Sequence, residues 1–200
     1  MASIHIRPAG LSDAPAVRDI YAPYVENTAI TFEVDVPGAA DFEERIRSTL
    51  AAYPFLVAEE EGGRILGYAY AARQMERAAY QWNATLSVYL GDFKGRGLGT
   101  VLYTALMNIL KLQNIHNVYG GVTWPNPASE ALHIKLGFSL LGRYRRTGFK
   151  DGKWHDVIWF EKRLLDEDNK IGGSISPPAL YRDLEADRLA ACLGIFDLGI

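Results

Sequence analysis

The 200-residue chain has one cysteine, Cys192, and no long run of apolar residues. A single cysteine cannot form an internal disulfide, which excludes a disulfide-stapled secreted fold and favours a reducing compartment. No apolar stretch approaches the ~18 residues that a membrane-spanning helix needs. The first residues also lack the apolar core of a signal peptide. We therefore expect a cytoplasmic protein with no membrane partner.

An excess of charge of one sign is also missing. The chain has 21 Lys and Arg residues against 24 Asp and Glu, a formal net charge of −3. Without a basic stripe, nucleic acid is not an expected partner. The four histidines lack metal-ligand spacing and no G-x-S-x-G motif is present, so we expect neither a metal site nor a serine nucleophile.

A glycine-rich segment at residues 94–100, KGRGLGT, is the most informative part of the chain. An apolar strand pattern precedes it, and apolar residues at helical spacing follow it. Alternate glycines let a backbone turn tightly and bring several N–H groups together. At the start of a helix these donors attract an anion, and Lys94 and Arg96 add positive charge. The segment predicts a site for a phosphate-bearing ligand.

The spacing of this loop matches neither a P-loop nor the dinucleotide G-x-G-x-x-G motif. Lys94-x-x-Gly97-x-Gly99 instead resembles the pyrophosphate loop of the GNAT superfamily of N-acetyltransferases, (Q/R)-x-x-G-x-(G/A), with lysine at the first position. The resemblance implies acetyl-CoA as co-substrate. A glycine-rich turn without a ligand is the alternative.

The remaining patterns predict an α+β fold with one mixed sheet. Strands are predicted at 3–7, 55–59, 65–71, 82–90, 118–122, 138–144 and 154–163. Helices are predicted after Asp13 with a disturbed end at Pro23, over 41–52, after the glycine loop, and from Asn126-Pro127 to Gly137. This order matches the acyl-CoA N-acyltransferase fold, a mixed β-sheet flanked by helices on both faces.

We assign residues 1–163 to an N-acetyltransferase domain and 164–200 to a C-terminal extension. Residues 166–175 are polar and glycine-rich, which predicts a linker. After Pro177-Pro178, leucines at 180, 184, 189 and 193 indicate a docked helix or an oligomer contact, and a disordered tail is the alternative.

Four further motifs resemble the phosphinothricin acetyltransferase branch of the superfamily. They lie at residues 77–82, 87–90, 132–138 and 148–157. The resemblance covers roughly residues 3–163. It implies transfer of an acetyl group to a small amine, an amino acid or an amino-acid analogue.

The resemblance also implies roles for individual residues. The backbone of Val88, Tyr89 and Leu90 would bond the pantetheine arm and the thioester carbonyl, and Asn126 and Ser129 would lie beside that arm. The pyrophosphate would be held by Lys94, Gly95, Arg96, Gly97, Leu98, Gly99 and Thr100. His133 would protonate the leaving thiolate; the alternative is an ordinary histidine packed on its helix.

One position departs from the branch. Thr85 stands where relatives carry a glutamate that acts as general base, and threonine cannot take up a proton near neutral pH. The amine site would contain Phe32, Arg77 and Tyr80, with Gln74 in place of a large aromatic residue. Arg77 would pair with a substrate carboxylate or phosphinate, or it is a solvent-exposed loop arginine.

Three functions are consistent with these residues. The first is an acetyl-CoA-dependent N-acetyltransferase for a small amine, assembled as a homodimer. The second is a CoA-binding protein that has lost catalysis along with the glutamate. The third is an acetyltransferase for peptide N-termini.

Overall fold

A computed structural model describes residues 3–165 and 175–197. The described strands are β1 (Ser3–Pro8), β2 (Phe55–Glu60), β3 (Ile65–Arg73), β4 (Asn83–Leu90), β5 (Asn117–Trp124), β6 (Ser139–Lys150), β7 (Lys153–Arg163) and β8 (Gly194–Asp197). The described α-helices are α1 (Ala14–Asn27), α2 (Ala39–Leu50), α3 (Leu98–Leu112), α4 (Pro127–Lys135) and α5 (Ala186–Ala190).

These strands form one mixed sheet in the order β6-β7-β5-β4-β3-β2-β1-β8. Only the β4–β5 pair is parallel, and the chain between those strands forms α3, as a parallel crossover requires. The predicted succession of strands and helices up to β7 is confirmed.

Helices cover both faces of the sheet, as predicted. On one face α3 buries Leu98, Leu102, Leu106 and Ile109 completely. On the other face α1 and α2 contribute a second cluster that includes Val17, Tyr21, Phe42 and Ile46. The sheet therefore separates two apolar layers, one under α3 and one under α1 and α2.

The predicted disturbance at Pro23 is wrong, because α1 continues through this residue to Asn27. Pro23 lacks the N–H that would donate to the Asp19 carbonyl. Both residues are exposed, so the unpaired carbonyl is accessible to solvent and the helix can continue. The Asp13 side chain does not cap α1 either; it accepts bonds from the Gly10 amide and the Arg7 guanidinium.

The C-terminal residues 175–197 pack against the domain. They form a short 3-10 turn at Tyr181–Asp183, the five-residue helix α5 and the strand β8, which pairs antiparallel with β1. We did not expect a strand here. The predicted linker falls mainly on residues 166–174, which lie outside the described residues, and the domain boundary at residue 163 stays a prediction.

Candidate active site

Strands β4 and β5 begin side by side and then separate. They pair only as far as Thr85, opposite Tyr119, whereas β4 stays paired with β3 up to Leu90. The Gly91 N–H donates to β3 at 2.9 Å. Successive backbone groups of a strand point to opposite edges, so those of Val88 and Leu90 point between β4 and β5. At Val88 this β4–β5 wedge is an open strand edge, which can pair with an extended ligand that carries amides.

The glycine loop lies at the wide end of the β4–β5 wedge. Gly95 and Gly97 have φ angles of 79° and 86°, a region that favours glycine. Gly97 is the N-cap of α3, and its carbonyl accepts from the Thr100 amide at 3.0 Å. The amides of Leu98 and Gly99 have no partner within the helix. Each would donate to the carbonyl four residues earlier, and those carbonyls lie before the helix begins. These donors and the helix dipole are the features that would attract an anion, so the anion site stays a prediction.

Two exposed cations flank this loop. The Lys94 ammonium lies 4.7 Å from the centre of the Tyr24 ring, and the Arg96 guanidinium lies 4.8 Å from that of Phe93. Both residues closely precede Gly97, the N-cap of α3, and their charges would favour a phosphate at this helix terminus.

Sequence reasoning missed Tyr24. Its hydroxyl donates to the Leu90 carbonyl at 2.7 Å and accepts from the Leu90 N–H at 3.2 Å, so α1 reaches the edge of the wedge. The two residues are 66 positions apart, and the sequence shows only a tyrosine on an amphipathic helix. No local pattern indicates this contact.

Asn126 begins α4 as predicted. Its side-chain oxygen accepts from the Ser129 amide at 3.2 Å, and its own amide donates to the Glu130 carboxylate at 3.1 Å. This reciprocal capping fixes the start of the helix that follows β5. Asn126 and Ser129 are both half-buried.

His133 is almost completely buried, at 2% exposure. Its Nδ1–H donates to the Ser129 carbonyl at 2.8 Å. The ring stacks on Phe160 with centroids 4.9 Å apart, and Tyr103 and Phe138 approach it edge-on. Burial lowers the pKa of His133, more strongly than the bond to Ser129 raises it.

A neutral His133 with its proton on Nδ1 has no proton on Nε2 to give. Its Nε2 has no hydrogen-bond partner and lies against Gly120 in the core. This geometry does not support the proton-donor role implied by the resemblance and favours the alternative, a histidine packed on its helix.

Thr85 lies on the face of β4 that carries Tyr89. Its hydroxyl donates to the Ala72 carbonyl on β3 at 3.4 Å, a long bond. Burial raises the pKa of Tyr89 and of the neighbouring Tyr68 well above the ordinary value, so both phenols stay neutral. None of these groups can act as a base near neutral pH.

Phe32 lies on the loop between α1 and α2, with its ring centre 6.2 Å from that of His155. The buried Lys150 ammonium holds this loop by donating to the carbonyls of Val25, Thr28 and Thr31 at 2.6, 2.8 and 3.0 Å. The position of Phe32 therefore depends on a lysine on β6.

The other predicted amine contacts lie on the loop at residues 74–82, between β3 and β4. Gln74 is half-buried, whereas Arg77 and Tyr80 are exposed. Among the described residues, no hydrogen bond, ion pair or ring contact joins Phe32 to these three. The structure thus places the predicted amine residues on two separate loops, one between α1 and α2 and the other between β3 and β4.

Across the residues that the structure describes, no group of His, Cys, Asp and Glu side chains could hold a metal ion. None of the helices in the same part of the chain is long and apolar enough to cross a membrane.

Comparison with known families matches residues 6–159 to the domain described as acetyltransferase (GNAT) domain. The chain belongs to this family and is an N-acetyltransferase.

Individual relatives agree with the phosphinothricin acetyltransferase branch. The chain is 34% identical over 171 residues to phosphinothricin N-acetyltransferase of Streptomyces coelicolor, covering 82% of this chain and 98% of the relative. It is 35% identical over 167 residues to an L-methionine sulfoximine/L-methionine sulfone acetyltransferase of Pseudomonas paraeruginosa, covering 81% and 95%. A phosphinothricin acetyltransferase from Sinorhizobium meliloti, solved with acetyl-CoA, superposes with a TM-score of 0.79 at 30% identity, covering 90% and 99%.

Proposed function

We propose that this enzyme transfers the acetyl group of acetyl-CoA to the amine of a small amino acid or amino-acid analogue. The observation that carries the proposal is the open β4–β5 wedge leading to the N-terminus of α3. An extended amide-bearing arm fits the backbone edge at Val88, and a pyrophosphate fits the glycine loop at residues 94–100. The next inward-pointing groups, those of Leu90, are bonded by the Tyr24 hydroxyl, so the arm would have to displace that hydroxyl to pair there.

The amine would lie on the Thr85 face of β4, between the Phe32 loop and the loop at residues 74–82. Arg77 supports a substrate with a carboxylate or phosphinate, because a guanidinium can bind either anion through two parallel hydrogen bonds. Relatives named for phosphinothricin and methionine sulfoximine act on amino-acid analogues, which agrees with this substrate class.

In the proposed reaction the amine nitrogen attacks the thioester carbonyl carbon, the C–S bond breaks, and the products are an N-acetyl amide and free CoA. The Val88 N–H would stabilise the oxyanion, joined by the Leu90 N–H if the Tyr24 hydroxyl that now accepts it is displaced. The amine loses one proton and the thiolate gains one. Because His133 is buried and neutral, we assign it a packing role and leave proton delivery to solvent at the mouth of the wedge.

The lack of a carboxylate at Thr85 limits the choice of amine. An ε-amine with a pKa of about 10.4 is almost fully protonated at neutral pH, whereas about a tenth of an α-amine with a pKa near 8 is neutral. Positioning alone can lower the activation barrier for attack by several kcal/mol. We therefore propose an α-amine as the acceptor.

A steady-state assay of CoA release tests the proposal. The panel contains α-amino acids, methionine sulfoximine, phosphinothricin, lysine analogues with a blocked α-amine, and a short peptide with a free N-terminus. We expect turnover with α-amino compounds. CoA binding without turnover on any amine would support the CoA-binding alternative, and turnover on the peptide alone would support the N-terminal acetyltransferase.

We also propose a cytoplasmic homodimer. The β6–β7 hairpin carries five exposed apolar side chains, and exposed apolar surface often mediates protein contacts: Leu140, Leu141, Tyr144, Phe149 and Trp154. Sedimentation should give twice the monomer mass, and Leu141→Asp should reduce it. A monomeric wild-type protein would contradict this assembly.

A further inference from the structure

The C-terminal segment at residues 176–181, which we call the strap, crosses the base of the loop at residues 74–82. Gln113 at the end of α3 fixes it: the side-chain amide donates to the carbonyls of Ala52 and Ala179 at 2.7 and 2.8 Å. The Gln113 carbonyl accepts from the Ala179 amide at 2.9 Å, and the Tyr181 amide donates to Ala52 at 3.1 Å. With Tyr181 only 7% exposed, the strap is part of the packed structure.

Trp82, the last residue of the loop, connects the strap to the sheet. Its indole N–H donates to the Ser176 carbonyl at 2.9 Å, and Asn114 donates to the same oxygen at 2.7 Å. The Trp82 carbonyl accepts from the amides of His116 and Asn117 at 2.9 and 3.2 Å. The backbone of Trp82 is thus held by the start of β5 and its side chain by the strap.

Both ends of the loop face the strap. A cleft of about 330 Å³ separates them, lined on the loop side by Arg73 and Gln81 and on the strap side by Pro178 and Leu180. Thr85 follows Trp82 by three residues on β4. The loop base is thus directly connected to the start of the strand that carries Thr85, at the proposed amine site.

We propose that the strap is a specificity-determining part of the amine site, because its bond to Trp82 fixes the loop that carries Gln74, Arg77 and Tyr80. An exposed loop that is already ordered loses less conformational freedom when a ligand binds, which strengthens binding. The strap lies outside the residues matched to the family, 6–159, so it is a feature on which relatives can differ. This inference rests on the proposed function, since it assumes that the loop binds the amine.

The test is Trp82→Phe, which keeps an aromatic ring and removes the N–H donor. We expect the KM for the amine to rise about 3–10-fold, the effect of one lost hydrogen bond, while the dissociation constant for CoA stays unchanged. Gln113→Leu, which loosens the strap without touching the loop, should also raise the amine KM. An unchanged amine KM in both variants, or a parallel loss of CoA affinity, would overturn the proposal.

Phe196→Leu is the matched control. Phe196 belongs to the C-terminal segment but lies on the edge strand β8 beside β1, with β1, β2 and β3 between it and β4. It should lower the melting temperature and leave the amine KM unchanged; an equal rise in KM would show a general loss of stability instead of a local effect.

Hydrogen exchange at residues 74–82 provides a readout that does not need turnover. Trp82→Phe should accelerate exchange in this loop, and unchanged exchange would overturn the coupling whether or not the enzyme acetylates any amine. Accelerated exchange in a protein that acetylates no amine would contradict the proposed function and, with it, the role of the strap in specificity.

Discussion

The Nε2 atom of His133 lies so close to Gly120 that a β-carbon on residue 120 would be 2.1 Å from it. Glycine at this position of β5 is therefore required by the histidine on α4. The contact joins α4 to β5, and the missing side chain at Gly120 leaves the space that the buried His133 ring occupies.

This contact predicts a coupled pair of substitutions. Gly120→Ala should destabilise the protein by about 1–3 kcal/mol through overpacking, and His133→Ala by about 2–4 kcal/mol through the cavity it leaves. In the double variant the added methyl group occupies part of that cavity, so the two losses should not add. Chemical denaturation of the four proteins measures the coupling, and strictly additive losses would contradict the contact.

His133→Ala also separates packing from proton transfer. If His133 only packs the core, any fall in kcat should be accounted for by the smaller fraction of folded, CoA-bound enzyme. The pH dependence of kcat should then keep its shape. Loss of one limb of the pH profile in His133→Ala would restore the proton-donor role.

Gly97→Glu should abolish CoA binding. Gly97 has a φ of 86°, and a glutamate there would add strain and place a carboxylate where the phosphates are expected. Gly152→Glu is the control, because Gly152 has a similar φ of 73° and open space around it, but lies on the β6–β7 turn. Calorimetric titration with CoA should show no binding for the first variant and wild-type affinity for the second.

Thr85→Glu should raise kcat/KM most for amines of high pKa and least for those of low pKa. A general base contributes about 10²–10⁴-fold where it is needed, and it is needed most when the amine is protonated. Thr85→Gln has a similar size without a basic group and should give no such gain. A uniform effect across the amine panel would indicate that another group already accepts the proton.

Lys150→Met should weaken amine binding and lower stability together. It leaves the carbonyls of Val25, Thr28 and Thr31 without their donor, at about 1–3 kcal/mol for each group that stays buried. The loop that carries Phe32 should then loosen and the amine KM rise. Lys153→Met, on the facing strand with an exposed side chain, should change neither the melting temperature nor the KM.

The sequence alone determined those features that depend on residues close together in the chain. Alternate glycines and a following apolar stripe predicted the loop and α3, because positive φ and helical periodicity are local properties. Asn126-Pro127 and Gly137 predicted both ends of α4 for the same reason, and the resemblance of the loop pointed to acetyl-CoA.

Only the tertiary structure decided contacts between distant segments. Tyr24 reaches Leu90, Lys150 reaches the Phe32 loop, and β8 adds to β1, although nothing near these residues in the chain indicates a partner. The burial of His133 belongs to the same class, because its neighbours come from α3, β7 and the residue before β6. Such contacts depend on how the layers close over the sheet, and local backbone preference carries no information about that closure.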